Sequence, residues 1–359
     1  MQRLKSGGLL ASGLLLWLSA VHAAAAAVPP TGANLWSHDN LFAWCVVPFD
    51  AKKRGPEERA QMLEALGFKY FVYDWRDEHI PTFDAEIDAL EKRHITLMAW
   101  WFPLEADDPT ATVILEVFKR HHIHPQLWVP QSFRGSPKTP EDWAKVLRVG
   151  FPVPKTGEDW QKLSDSDKAE MQSVAARLDS NRQFPKTPEE QAQRVKREAD
   201  RIYALAKLAA PYGSPVELYN HNGWYGVMDN QVAIIKDLKA RGVNTVGIAY
   251  NFTHARDELH DDSVGFSAAW KKIKPYVVAV EVTGMATDGK IIYPSQGDSE
   301  LSMMQTIHDS GWSGPIGLIA EKGGDAEVTL KNYLTGLDWL ASELKEPGSG
   351  GPRPFPLDR

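Results

Sequence analysis

Val216-Glu217-Leu218-Tyr219-Asn220-His221-Asn222-Gly223-Trp224 and, a helix-length further on, Val246-Gly247-Ile248-Ala249-Tyr250-Asn251 decide the fold of this chain. Val216 to Tyr219 is a short apolar run bounded by polar residues, and reads as a strand. Asn230 to Arg241 fits a helix, and Val246 to Tyr250 is a second strand. Strand, helix, strand is the signature of two parallel neighbours in one sheet. The same unit recurs in both directions. Upstream, strands are expected at Phe42 to Val47, Lys69 to Asp74, Ile95 to Trp101 and Pro125 to Val129. Helices are expected there at Pro56 to Leu66, Phe83 to Arg93 and Ala111 to His121. Downstream come strands at Val277 to Val282 and Pro315 to Ile319, with helices at Phe266 to Ile273, Glu300 to Ser310 and Asp325 to Leu344. Eight such units predict closure into an α/β (β/α)8 TIM barrel over residues 41–345. An open doubly wound sheet is the alternative, but no GxGxxG follows the first strand, which argues against its dinucleotide-binding version.

The bulk numbers fit. The chain has 359 residues, 43% hydrophobic and 24% charged, enough to bury a large core. A formal net charge of −7 without a long basic run argues against nucleic acid as partner. Arg3 and Lys5 precede an apolar run from Gly8 to Val21, and Val21-His22-Ala23 resembles a small-x-small cleavage site. Residues 1–23 are therefore expected to be a signal peptide, giving an exported, periplasmic or secreted protein with no stable membrane insertion after cleavage. With one cysteine, Cys45, no disulfide can form within the chain. Residues 24–40 read as a linker, and Pro347 to Arg359, rich in Pro and Gly, as a disordered tail.

One region interrupts the alternation. The polar stretch Gln131 to Pro188 is a helical insertion after strand four. Thr139, Thr156 and Thr187 are each followed three positions later by an acidic residue, a pattern suited to a helix N-cap. A loop after a strand lies on the catalytic face, so the insertion is expected to be a lid or a wall of the site.

In a barrel of this kind chemistry sits at the C-terminal strand ends. Those ends carry Asp74 and Arg76 after strand two, Trp100 and Trp101 on strand three, and Trp128 on strand four. Tyr219, Asn220, His221 and Trp224 follow on strand five, Asn251 and His254 on strand six, Glu281 on strand seven and Glu321 after strand eight. Amides and carboxyls that bond hydroxyls, with indoles that stack on a carbon skeleton, suit a small-molecule carbohydrate. Trp100 and Trp101 point to opposite sides of their strand, so one of them faces a ligand. Glu281 lies in the apolar run Val277 to Val282, where a carboxyl must be paired, hydrogen-bonded or bound to a cation. His121-His122-x-His124 looks like a metal tract, but it falls between a helix and strand four and so on the opposite face.

Phe71-Val72-Tyr73-Asp74-Trp75-Arg76, Leu218 to Trp224, Gly247 to His254 and Gly311-Trp312-Ser313-Gly314-Pro315-Ile316 together resemble the xylose isomerase-like barrel superfamily of sugar isomerases and epimerases, and a secreted bacterial branch in particular. Metal-using members carry Glu-Asn-His after strand five, Asp-x-x-His after strand six, a His on strand seven and a Glu after strand eight. Here Tyr219 stands where that Glu would be and Asn251 where that Asp would be. His221, His254, Glu281 and Glu321 remain. Losing two carboxylates weakens a hard cation. The resemblance thus implies either one divalent metal, Zn²⁺ or Mn²⁺, on His221, His254 and Glu281, or no metal at all.

The function expected from this pattern is a sugar isomerase, epimerase or lyase that removes a proton next to a carbonyl. Glu281 or His254 would be the base, with His221 beside it. Asp74, Arg76, Trp101, Trp128, Tyr219, Asn220, Trp224, Asn251 and Glu321 would hold the ligand. The alternatives are a non-catalytic carbohydrate-binding barrel and a glycoside hydrolase drawing two carboxylates from Asp74, Glu281 and Glu321. Oligomeric state is open.

Overall fold

The computed structural model describes residues 35–130, 184–221, 223–254, 263–285 and 291–357, with single positions at 162, 164 and 168. Eight parallel strands close into a barrel: β1 (Leu41–Trp44), β2 (Tyr70–Tyr73), β3 (Thr96–Trp101), β4 (Gln126–Pro130), β5 (Val216–Tyr219), β6 (Val246–Asn251), β7 (Val277–Glu281) and β10 (Ile316–Ile319). Neighbours follow chain order, and β10 closes on β1 with Leu41 opposite Ile316 and Trp44 opposite Ile319. These strands are short and buried on both faces, as strands between a packed interior and a helical layer must be. The expected (β/α)8 barrel is therefore the fold.

The outer layer is α1 (Pro56–Ala65), α2 (Phe83–Lys92), α3 (Pro109–His121), α4 (Pro188–Ala209), α5 (Met228–Ala240), α6 (Ser263–Ile273), α7 (Glu300–Asp309) and α8 (Ala326–Lys345). Proline begins α1, α3 and α4, where its missing N–H costs nothing. Asp108, Thr187 and Asp325 cap α3, α4 and α8 by accepting backbone N–H bonds. Thr187 thus acts as the sequence predicts. Thr139, Thr156 and nearly all of the insertion lie outside the described residues, as does the expected signal peptide. A buried ion pair, Arg59 Nε and Nη2 to the two Glu86 oxygens at 2.9 Å each, locks α1 to α2.

Two expectations are corrected. The part of the linker from Leu35 onward is ordered: Leu35 and Trp36 are buried. The tail is not disordered as far as Leu357. Trp339 Nε1 donates to Gly351 O (3.1 Å), Arg353 Nη1 to Ser295 O (2.6 Å), and Phe355 packs on Tyr293 with ring centroids 5.1 Å apart. Proline and glycine lowered the local hydrophobicity, but two aromatic rings and one guanidinium supply the contacts. Tyr293 follows a hairpin unforeseen in the sequence, β8 (Gly284–Met285) with β9 (Ile291–Ile292), set between β7 and α7. No helix among the described residues is long and apolar enough to cross a membrane.

Candidate functional site

Alternation along each strand sends Trp44, Trp101, Trp128, Tyr219, Asn251 and Glu281 into the barrel, while Tyr73 and Trp100 turn outward onto Phe83. The two tryptophans of β3 are thereby split as expected. Trp100 is fully buried, and Trp101 is the half-buried one.

Tyr219 is the hub. Its hydroxyl donates to Glu281 Oε2 at 2.7 Å, and accepts from Asn251 Nδ2 (2.9 Å) and from Trp44 Nε1 (3.2 Å). Asn251 Nδ2 also donates to Glu281 Oε2. Trp128 stacks under Tyr219 with centroids 5.8 Å apart, and its indole N–H is taken by Gln126 Oε1 at 2.9 Å. Above Tyr219 stand three half-buried rings. His221 lies 5.0 Å from it, Trp101 5.2 Å and His254 5.6 Å, and the two imidazoles are 4.3 Å from each other. Trp101, His221 and His254 are the half-buried rings of the site, and the Tyr219–Glu281 pair behind them is buried.

Glu281 is 1% exposed, and burial pushes its carboxyl well above the usual range. The bonds from Tyr219 and Asn251 oppose that rise, and the charges of Glu321 and Asp74 add to it. Its Oε1 is buried without a hydrogen-bond partner. Asp74, just past β2, repeats the theme. Burial raises its carboxyl to about 7 against the pull of Arg76 and the Val47 N–H, which bonds Oδ1 at 3.2 Å. Its Oδ2 has no partner. Space for Glu281 is made by Gly317, where a Cβ would stand 2.8 Å from Glu281 Cγ and 2.3 Å from Phe42 Cζ.

The sequence reading missed Cys45, Trp44 and Glu217. Cys45 follows β1 with φ at 53°, and is buried. Burial raises its thiol, and the charges of Asp74, Glu321 and Glu281 raise it further, so the only cysteine lies in the field of all three site carboxyls. A strand-end position was the available signal, and it was used only to exclude a disulfide. Glu217 lies two residues before Tyr219, hence on the same inward face, and burial alone keeps its carboxyl far above the usual range.

Several expected ligand contacts are corrected. Trp128 is fully buried floor. Asn220 is spent on the backbone: its Nδ2 donates to Asn251 O (3.0 Å) and its Oδ1 accepts from Asn251 N (2.7 Å), tying the ends of β5 and β6. Trp224 points into the helical layer, with its N–H on Gln191 Oε1 (2.8 Å) and the Arg194 guanidinium 4.5 Å over its ring. Arg76 is exposed and bonds the carbonyls of Asp74 (2.8 Å) and Trp75 (2.7 Å), so it reaches Asp74 through space, not by a carboxylate bridge. Glu321 remains half-buried at the rim.

The metal set expected on His221, His254 and Glu281 does not fit as arranged. Among the described residues, the group of three His, Cys, Asp or Glu side chains whose ligand atoms lie within 4.8 Å of one another is Asp88, Glu91 and His121, not these. Glu281 Oε2 accepts from the Tyr219 O–H and the Asn251 N–H, while Oε1 has no hydrogen-bond partner. The Asp88 group belongs to α2 and the end of α3, where His121 Nε2 meets Asp84 Oδ1 at 2.9 Å, on the face where the sequence placed the histidine tract.

Comparison of this geometry with solved structures gives the fold its place. It matches the 3-keto-D-glucoside 4-epimerase YcjR of E. coli at 15% identity over 84% of this chain and 98% of that one, with a TM-score of 0.51. The two share the closed (β/α)8 barrel fold. The same fold is shared with a probable 3-DHS dehydratase, AsbF, of Bacillus anthracis (11% identity, 82% and 98% covered, TM-score 0.51). It is also shared with the IolI protein holding a zinc atom (12%, 85% and 98%, 0.50). No protein-family model and no curated protein matches the chain in sequence.

Proposed function

We propose that this protein is an exported acid–base enzyme that isomerises or epimerises a carbohydrate by moving a proton next to a carbonyl. The observation that carries this reading is the half-buried imidazole pair, His221 and His254, standing on a tyrosine that is wired to a buried carboxyl. An imidazole changes charge near neutral pH and suits general acid–base work. In the proposed step, one imidazole takes the proton from the carbon beside the carbonyl and the charge moves onto the carbonyl oxygen. The proton then returns at the neighbouring carbon or on the other face. Trp101 is the stacking surface. Glu281 is buried and accepts from Tyr219 and Asn251, so it is a positioning residue that fixes the phenol and the amide. A neighbour of the same fold, the 3-keto-D-glucoside 4-epimerase, supports the substrate class, and the Arg3 to Ala23 pattern supports export.

The test is ¹H NMR in D₂O with the purified protein and a panel of ketoses, aldoses and keto-glycosides. Wild type is expected to exchange a C–H next to the carbonyl. His254→Ala is expected to lose about 100-fold or more in kcat. Glu281→Gln is expected to shift the pH profile with a smaller loss. Activity is expected to survive chelation. A sugar that binds without any exchange would make the barrel a binding protein, and full activity in His254→Ala would remove the imidazole pair.

A further inference from the structure

In α/β barrels the loops after the last two strands and a helix N-terminus commonly seat a phosphate, because free N–H groups and the helix dipole attract an anion. Here the helix after the eighth barrel strand is α8, and the chain fills that seat itself. Asp50, from the loop after β1, has a fully buried side chain whose Oδ1 accepts the Ala326 N–H at 3.2 Å. Asp325 Oδ1 accepts the Glu327 N–H at 3.1 Å. The nearby cations are spent as well. Arg54 Nη1 grips both Asp50 oxygens at 2.8 and 2.9 Å, Arg54 Nη2 bonds Asp325 at 2.8 Å, and Lys52 Nζ lies 2.8 Å from Asp325 Oδ2. Ala51 N donates to Gly324 O at 2.9 Å, which holds the two loops together. Burial works against ionised Asp50, but the bonds from Ala326 and Arg54 outweigh it and keep the carboxyl low, so the seat holds charge.

We propose that the site selects unphosphorylated sugars, because Asp50 and Asp325 occupy the anion seat at the start of α8. This rests on the carbohydrate reading above, while Asp50 and Asp325 stand apart from the groups proposed to handle the proton.

The test is calorimetry with inorganic phosphate on wild type, Asp50→Ala and Asp325→Ala, each checked for folding by circular dichroism. Wild type is expected to take no phosphate. Emptying the seat frees a helix N–H and part of the Arg54 guanidinium, so each folded variant is expected to bind phosphate at concentrations where wild type binds none. Asp325 is partly exposed, so its variant stands if Asp50→Ala does not fold. Phosphate binding to wild type overturns the proposal, and so does a folded variant that binds phosphate no better. In the sugar panel, a phosphorylated sugar binding as well as its unphosphorylated parent also overturns it. If no sugar binds at all, the carbohydrate reading fails, and the phosphate results still decide whether the seat is self-filled.

Discussion

Replacing Asp74 by Asn tests the electrostatics of the site through stability, without a known substrate. The carboxyl of Asp74 titrates at about 7 in place of an ordinary 3.8, chiefly because burial disfavours its charge. Below pH about 4 folded and unfolded chains both hold the proton, and the site costs nothing. Between about 4 and 7 the native protein keeps a proton that the unfolded chain has lost, so stability falls with rising pH, by about 1.4 kcal/mol per pH unit for this group. Above 7 the fall is complete, at about 4 kcal/mol. Asn cannot ionise and keeps the oxygen that accepts the Val47 N–H, but it leaves an amide donor buried at a cost of about 1–2 kcal/mol at every pH. The variant is therefore expected to be slightly less stable than wild type at pH 4.5 and about 2 kcal/mol more stable at pH 8. Urea unfolding at four pH values reads the difference. A difference that stays flat from pH 4.5 to 8 would refute the assignment of a raised, buried carboxyl.

Removing one partner of the Arg59–Glu86 pair leaves a buried charge alone, so Arg59→Ala is expected to lose about 3–5 kcal/mol in denaturant unfolding. The double replacement Arg59→Met with Glu86→Leu is expected to lose much less. A Cβ at Gly226 would stand 1.5 Å from the His221 carbonyl oxygen, so Gly226→Ala must displace His221. It is expected to cut activity about 100-fold while the barrel keeps its circular dichroism. Intact mass of the exported protein is expected to place its first residue near Ala24, whereas retention of Met1 to Val21 would mean an uncleaved anchor.

The barrel was legible because its signal is local and repeated. Each strand is a run such as Val216 to Tyr219, each is followed by a helix, and parallel pairing leaves little choice once eight units are counted. Position at a strand end was legible too, and it delivered Asp74, Trp101, Tyr219, His221, Asn251, His254 and Glu281 to one region. Their roles were not legible. Asn220 and Trp224 have the composition of ligand contacts, yet one braces a backbone and the other packs on Arg194 of α4. Which way a residue past a strand end points depends on the turn that follows, and that turn is set by neighbours distant in sequence. Strand-end position marked Cys45 and two-residue spacing to Tyr219 marked Glu217 as inward, but nothing local marks the field of carboxyls around the first or the burial of the second. The tail failed for the opposite reason: its composition is loose, and contacts from Arg353 and Phe355 to residues about sixty positions away hold it.

The sequence by itself determined the architecture and the cast of residues at the opening, since periodicity and strand-end position are properties of neighbouring residues. Only the tertiary structure decided that Glu281 meets Tyr219 and Asn251 with one oxygen accepting from two donors, that His221 and His254 meet at 4.3 Å, and that Asp50 crosses to fill the start of α8. These relations join residues 30 to 276 positions apart. Burial, which sets the charge of each carboxyl, exists only once the barrel has closed around them.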